Sequence, residues 1–92
     1  MDNKYNYKII YHKRTKKHPQ NLKAAKLERV AKELIELLKD NPLKSPPIWK
    51  ALSGDLKGFY SRRINDKHRL VYSIDEENKN VTIYSMWTHY EF

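Results

Sequence analysis

The chain has 92 residues, of which 39% are apolar and 33% charged, and its formal net charge is +8. This length suits one domain, residues 1–92, and the composition is typical of a folded rather than a disordered protein. Without cysteine there is neither a disulfide framework nor a thiolate metal site. No apolar run reaches the ~18 residues of a membrane span, and no secretion signal is visible. We therefore expect a cytoplasmic protein without a membrane partner.

The excess positive charge lies in the first half of the chain. Residues 1–50 contain thirteen Lys and Arg against five Asp and Glu, whereas residues 51–92 contain six of each. This asymmetry favours a polyanionic partner, either a nucleic acid or an acidic protein segment, although a solvated lysine-rich helix face would have the same composition. In the second half, five cations cluster around a single acid, Asp66; they are Lys57, Arg62, Arg63, Lys67 and Arg69.

The first half of the chain predicts a strand followed by helices. Aromatic and β-branched residues alternate from Tyr5 to Tyr11, which indicates a strand. A first helix is predicted over Lys13–Ala24, with Pro19 either in its first turn or breaking it. From Leu27, apolar residues recur at helical spacing until Asn41-Pro42, where proline disfavours helical geometry.

The second half predicts a crossover followed by strands. Residues 41–56 contain three prolines and a glycine and indicate an irregular segment. Three strands are predicted after it, over Phe59–Asn65, Arg69–Ile74 and Val81–Trp87. The order β-α-α-β-β-β predicts an α+β domain, in which two N-terminal helices pack on one face of a mainly antiparallel sheet.

Several of these residues suit the cleavage of a phosphodiester. Metal-free RNA cleavage requires a base for the 2′-hydroxyl, an acid for the leaving oxygen and cations for the phosphorane. His89 is the best acid or base, because an unperturbed imidazole titrates near pH ~6.5. Arg69 is a natural phosphate ligand. Arg62 and Arg63 are adjacent on a strand and must point to opposite faces, but alternation alone does not decide which one joins the site.

Two segments together resemble a known family. The run GFYSRRINDKHRLVYSI at residues 58–74 and MWTHY at residues 86–90 are similar to the YoeB/Txe toxins of the RelE superfamily. The resemblance implies a RelE-like fold and the toxin of a type II toxin–antitoxin system. Such a toxin is a ribosome-dependent mRNA endoribonuclease, held inactive by an antitoxin of the YefM/Phd kind. Its partners would be the 70S ribosome and mRNA, and a homodimer is plausible.

The resemblance also suggests roles for individual residues. Tyr90 matches the C-terminal tyrosine of the family's active site, and Arg63 is favoured over Arg62 as the second phosphate ligand. We count four residues as candidate RNA contacts: Arg63, Arg62, Lys57 and Tyr60. Neither a metal nor another cofactor is expected, since no Cys, H-E-x-x-H or paired carboxylate–histidine spacing is present.

One position departs from the family pattern. Where the family usually has a glutamate that can serve as general base, ungapped alignment places Lys50. Lys50 could act as the base itself, or it could bind the phosphate while His89 performs all proton transfer. In a third alternative, Lys50 does neither, and the enzyme is weakened. The alternative function is therefore a catalytically impaired homologue that acts as an antitoxin-binding regulatory module.

Overall fold

The computed structural model describes residues 6–87, which form a five-stranded sheet with two helices on one face. The strands are β1 Lys8–Tyr11, β2 Trp49–Ala51, β3 Phe59–Arg63, β4 Arg69–Asp75 and β5 Asn80–Ser85. The helices are α1 His18–Ala24 and α2 Glu28–Asp40, and two short 3₁₀ helices span Lys13–Thr15 and Gly54–Leu56. None of the helices in this part of the chain is long and apolar enough to cross a membrane.

The sheet has the order β1-β5-β4-β3-β2, and only the β1–β5 pair is parallel. The predicted α+β class is confirmed, with the helices inserted between β1 and the antiparallel strands. The helix predicted over Lys13–Ala24 is divided into a 3₁₀ turn and α1, and Pro19 occupies the first turn of α1, where its missing N–H has no cost. The predicted irregular segment contains one further strand, β2, which is three residues long.

The hydrophobic core lies between the helices and one face of the sheet. Leu34 and Leu38 of α2 pack there against strand residues that are fully buried. The strand residues are Leu70, Tyr72, Val81 and Ile83. Because successive strand side chains point to opposite faces, the residues between these positions lie on the other face of the sheet. Val71 and Ser85 on that second face are buried as well, and the rest of the face is available for a functional site.

A buried arginine fastens the proline-containing loop at residues 42–47 to the core. Arg62 is 1% exposed. Its Nε donates to the Tyr72 hydroxyl at 3.0 Å, and its Nη1 donates to the Pro47 carbonyl at 2.6 Å. Its Nη2 donates to the carbonyls of Pro42 and Lys44 at 3.0 and 2.8 Å. The Tyr72 hydroxyl donates to Pro42 as well, at 2.9 Å. Carbonyl dipoles thus solvate this buried cation and fix the loop.

A histidine fastens α1 to the end of the sheet. The backbone N–H of Met86 donates to Nδ1 of His18 at 3.1 Å. This bond requires the neutral imidazole, because a protonated Nδ1 would be a donor. Burial, and secondarily the charge of Arg14, lower the pKa of His18 below its ordinary value of 6.5. Folding therefore favours the neutral form.

We predict that replacing Arg62 with methionine lowers the free energy of unfolding by about 1–3 kcal/mol, since the carbonyls of Lys44 and Pro47 lose charge-assisted hydrogen bonds. Backbone amides of residues 43–48 should exchange hydrogen faster. Urea unfolding and hydrogen exchange measure the two effects. The matched control is Arg63→Met, the exposed neighbour, which should change stability by less than about 0.5 kcal/mol. Equal stability of the two variants would contradict the role given to Arg62.

We also predict a pH dependence of stability that His18 causes. The pKa of His18 is lower in the folded than in the unfolded chain, so its contribution is complete above pH 6.5. It declines as the pH falls from there towards the folded-state value. Urea unfolding at a series of pH values should show that the free energy of unfolding declines less at low pH for His18→Gln than for the original chain. Parallel pH profiles would show that His18 is not responsible.

Candidate active site

Alternation along β3 separates core residues from site residues. Tyr60 lies on the core side, stacked on Tyr72 with ring centroids 5.8 Å apart, and Arg62 is buried on that side too. Ser61 and Arg63 therefore lie on the second face. The register brings them partners from both neighbouring strands. Lys50 of β2 is opposite Ser61, and Arg69 of β4 is opposite Arg63.

These residues line a cavity of about 470 Å³ on the second face of the sheet, next to its β2 edge. Its lining consists of Pro47, Ile48, Trp49, Lys50, Ser61, Arg63 and Arg69. The loop fastened by Arg62 supplies one wall, and β3 and β4 supply the floor. We call this the cationic cavity.

The cationic cavity has an uncompensated positive charge. Its described lining contains three cations, Lys50, Arg63 and Arg69, and neither a carboxylate nor a histidine. Within residues 6–87, none of the three forms an ion pair. Arg63 and Arg69 stand directly across from each other, and like charges in such pairs repel. An anion bound between them would relieve this repulsion, so the arrangement favours phosphate-like ligands.

The orientation of Arg69 is partly fixed by the turn between β3 and β4. Its Nη1 donates to the carbonyl of Asn65 at 3.2 Å, while the side-chain oxygen of Asn65 accepts from the N–H groups of Lys67 and His68. The turn thus positions the guanidinium with one hydrogen bond and leaves its other N–H groups available. A preorganised donor of this kind can meet charge that develops on a reacting oxygen.

A larger concavity, of about 640 Å³, lies between the start of β1 and the end of α2. Asp40 and Lys79 provide its charged groups, and Lys79 forms an ion pair with Glu76 at 3.3 Å. Charges that are already compensated hold an anion weakly. The smaller, cationic cavity is therefore the better candidate site.

Three of the predicted site residues come together in this cavity: Lys50, Arg63 and Arg69. Lys57 is exposed at the end of the second 3₁₀ helix and does not line the cavity. His89 and Tyr90 lie outside the described residues, so their catalytic roles stay predictions. No group of three metal-ligating side chains occurs within residues 6–87.

Two predicted RNA contacts need correction. Arg62 is buried, and its guanidinium is engaged by one hydroxyl and three carbonyls, which leaves no surface for a phosphate. Tyr60 is on the core side, between Tyr72 and the edge of Trp49, whose ring centroid is 5.5 Å away. Neither side chain reaches the second face of the sheet. Of the two adjacent arginines, Arg63 is the one in the cavity.

Four residues of the lining are not among the predicted site residues: Pro47, Ile48, Trp49 and Ser61. Ser61 could have been found, because it alternates with Arg63 on the same strand. Ile48 is 82% exposed at the cavity wall, an unusual place for a large apolar side chain. Its position depends on the course of the loop before β2, which no local sequence pattern predicts.

The comparisons with known proteins agree with this fold. Residues 11–90 match a family model described as a YoeB-like toxin of bacterial type II toxin-antitoxin system. Toxin YoeB from Escherichia coli K12 is 37% identical over 54 residues, which span 55% of this chain and 64% of that protein.

Two solved structures cover more of the chain. A YoeB–YefM complex from Staphylococcus aureus matches with 29% identity and a TM-score of 0.76, covering 91% of this chain and 98% of that chain. A YoeB dimer from the same organism matches with 28% identity and a TM-score of 0.76, covering 92% and 99%. The predicted fold and family are thereby confirmed. Because the match to the family model covers residues 11–90, which is most of the chain, the chain belongs to the YoeB-like toxins of bacterial type II toxin–antitoxin systems.

Proposed function

We propose that this protein is a metal-independent endoribonuclease that cleaves messenger RNA on the 70S ribosome. The observation that carries the proposal is the convergence of Lys50, Arg63 and Arg69 on one cavity without a described carboxylate. Together with membership of a toxin family, this site favours a phosphodiester as the bound group. Acting on ribosomes would place the protein in the cytoplasm.

In the proposed reaction, the 2′-oxygen of a nucleotide attacks the adjacent phosphorus. The P–O5′ bond breaks, which leaves a 2′,3′-cyclic phosphate and a 5′-hydroxyl. Arg63 and Arg69 bind the non-bridging oxygens and stabilise the extra negative charge of the phosphorane. Because the arginines lie opposite each other on neighbouring strands, they can bind the phosphate from two sides.

Two protons must move in this reaction, one from the 2′-hydroxyl and one to the leaving O5′. We assign the proton donor to His89, with Tyr90 as a neighbouring hydrogen-bond or stacking partner. The base is either Lys50, through its neutral amine, or His89 acting alone, with Lys50 as a third phosphate ligand. Lys50 is exposed and pairs with Ser61 across the strands, so its amine can reach a substrate in the cavity.

A second function is favoured by the absence of a carboxylate from the described cavity lining. If Lys50 replaces the family's general base without taking over its work, the protein cleaves RNA slowly. It would then act mainly as an antitoxin-binding regulatory module. A general base typically contributes ~10²–10⁴-fold to the rate, so slow cleavage would remain detectable.

The proposed protein partner is an antitoxin of the YefM/Phd kind. One matched Staphylococcus aureus YoeB is seen in a complex with YefM, and a YoeB from the same organism is seen as a dimer. For this chain we propose an acidic antitoxin segment that covers the cationic cavity and so blocks RNA, and a homodimer as a further assembly. The net charge of +8 gives such a segment a strong electrostatic attraction.

We predict that Arg69→Ala and His89→Ala each reduce the cleavage of ribosome-bound message by about 100-fold or more. The first variant loses a phosphorane ligand and the second a proton donor. Primer extension on purified ribosomes with a defined message measures the cleavage rate. Lys67→Ala is the matched control, because this exposed cation follows Arg63 in the turn but does not line the cavity. Undiminished cleavage by both site variants would refute the proposed site.

A second prediction separates the two functions. If Lys50 takes part in catalysis, Lys50→Glu should slow cleavage by at least about tenfold, because it places a negative charge beside the bound phosphate. A large gain of activity in Lys50→Glu would instead show that the natural site lacks an efficient base. Lys50→Gln should lose any proton transfer that the amine performs, and it should weaken RNA binding only if Lys50 is a phosphate ligand. The pH profiles of the three proteins, measured in the same assay, decide between these outcomes.

A further inference from the structure

A second group of cationic and aromatic side chains lies on the same face of the sheet as the cationic cavity. Phe59 alternates with Ser61 and Arg63 along β3, so its ring is on that face. Tyr84 lies between Ile83, which is buried in the core, and Ser85. The rings of Phe59 and Tyr84 have centroids 5.0 Å apart. Their contact spans β4, which lies between β3 and β5.

Tyr84 sits at an irregularity of the sheet. The register of β4 with β5 pairs Val71 with Ser85 and Tyr72 with Ile83, so no residue of β4 lies opposite Tyr84. This is a β-bulge, a feature that redirects side chains and is common beside binding sites. Here the bulged residue carries the aromatic ring on which an arginine lies.

That arginine is Arg14, whose guanidinium carbon is 4.3 Å from the centroid of the Tyr84 ring. Its backbone N–H donates to Nδ1 of His12 at 3.1 Å, and the imidazole of His12 is itself 5.2 Å from the Tyr84 ring. The backbone N–H of His12 donates to Ile83 at 2.9 Å, and Thr15 is buried beneath the turn. The exposed guanidinium is therefore held in place by a rigid, well-bonded segment.

The charge around Arg14 is strongly positive. The segment from His12 to His18 contains four Lys and Arg and no acid, and no acidic residue occurs between Asp2 and Glu28. Arg14 forms no ion pair within the described residues. A flat guanidinium beside aromatic rings in such a field can stack on a base and attract the backbone phosphates of a single strand.

We propose that Arg14, Tyr84 and Phe59 form a second RNA-binding subsite, which holds single-stranded RNA flanking the phosphodiester in the cationic cavity. Phe59 is two residues from Ser61 in the cavity lining, or about 7 Å along the strand. A single strand can therefore run from one group to the other across the sheet without leaving the protein surface. This inference extends the proposed function, since the cavity would hold the phosphate that is cut.

The experiment measures binding without cleavage and without the ribosome. Fluorescence anisotropy at low salt compares a labelled trinucleotide with a nonanucleotide, both with 2′-O-methyl groups throughout, so that neither can be cut. The subsite predicts that the longer strand binds more tightly than the shorter one. Arg14→Gln and Tyr84→Leu should each lower the affinity for the nonanucleotide by about fivefold or more, since the stacking of one base is lost. The affinity for the trinucleotide should stay nearly unchanged.

The salt dependence adds a second readout. Arg14→Gln should reduce the slope of log affinity against log salt for the nonanucleotide by about 0.7, the value for one phosphate contact with a single strand. Arg29→Gln is the matched control. Its side chain is 91% exposed on α2, where it pairs with Glu33, and its removal changes the net charge equally but not the second face of the sheet. Arg14 is exposed, so its loss does not threaten folding.

The proposal is overturned if the original chain binds the trinucleotide and the nonanucleotide with equal affinity. It is also overturned if Arg14→Gln and Arg29→Gln lower the affinity for the nonanucleotide to the same extent. Unchanged RNA affinity in Arg14→Gln combined with weaker binding of an acidic antitoxin would assign this surface to the protein partner and also overturn it. Failure of the proposed nuclease is seen separately, as absence of cleavage on ribosomes while the binding results stand.

Discussion

The structure of the site depends on one buried cation. Arg62 has no carboxylate partner among the described residues, and removing a guanidinium from water is costly. Four hydrogen bonds, three of them to backbone carbonyls of the loop at residues 42–47, offset that cost. They also join the centre of β3 to the segment that leads into β2. Since this segment forms one wall of the cationic cavity, the geometry of the cavity is only as stable as the contacts of Arg62.

Most of the fold could be predicted from local patterns, and the failures have a common physical cause. The long apolar stripe of α2 and the alternating runs of β4 and β5 identify their elements without tertiary information. β2 is only three residues long and exists because it pairs with β3, so no periodicity indicates it. Likewise, alternation places Arg62 and Arg63 on opposite faces but does not say which face is the core. That choice depends on the loop at residues 42–47, whose carbonyls are distant in sequence.

The same reasoning explains which site residues could be predicted. The resemblance to the family indicated Lys50 and Arg63, and guanidinium chemistry indicated Arg69; all three line the cationic cavity, and their roles stay predictions. For Tyr60, an aromatic residue on a strand suits a base as well as a core, and the contacts with Tyr72 and Trp49 place it on the core side. Ile48 and Pro47 lie in the cavity wall because Arg62 holds their loop there. Sequence identifies the chemical groups, and non-local packing decides which of them meet.

The electrostatics of the cavity separate the binding of a phosphate from its cleavage. Arg63 and Arg69 are charged whatever the protonation of neighbouring groups, so attraction to a phosphate does not require a working base. The buried charge of Arg62 lies directly behind Pro47 and adds to the same field, at a place where water screens it weakly. On the proposed function, an acidic antitoxin segment would be attracted to the same cations as RNA. Inhibition would therefore persist even in a chain whose proton transfer is slow. The antitoxin segment and RNA compete for the same cations, and binding of the antitoxin requires no proton transfer.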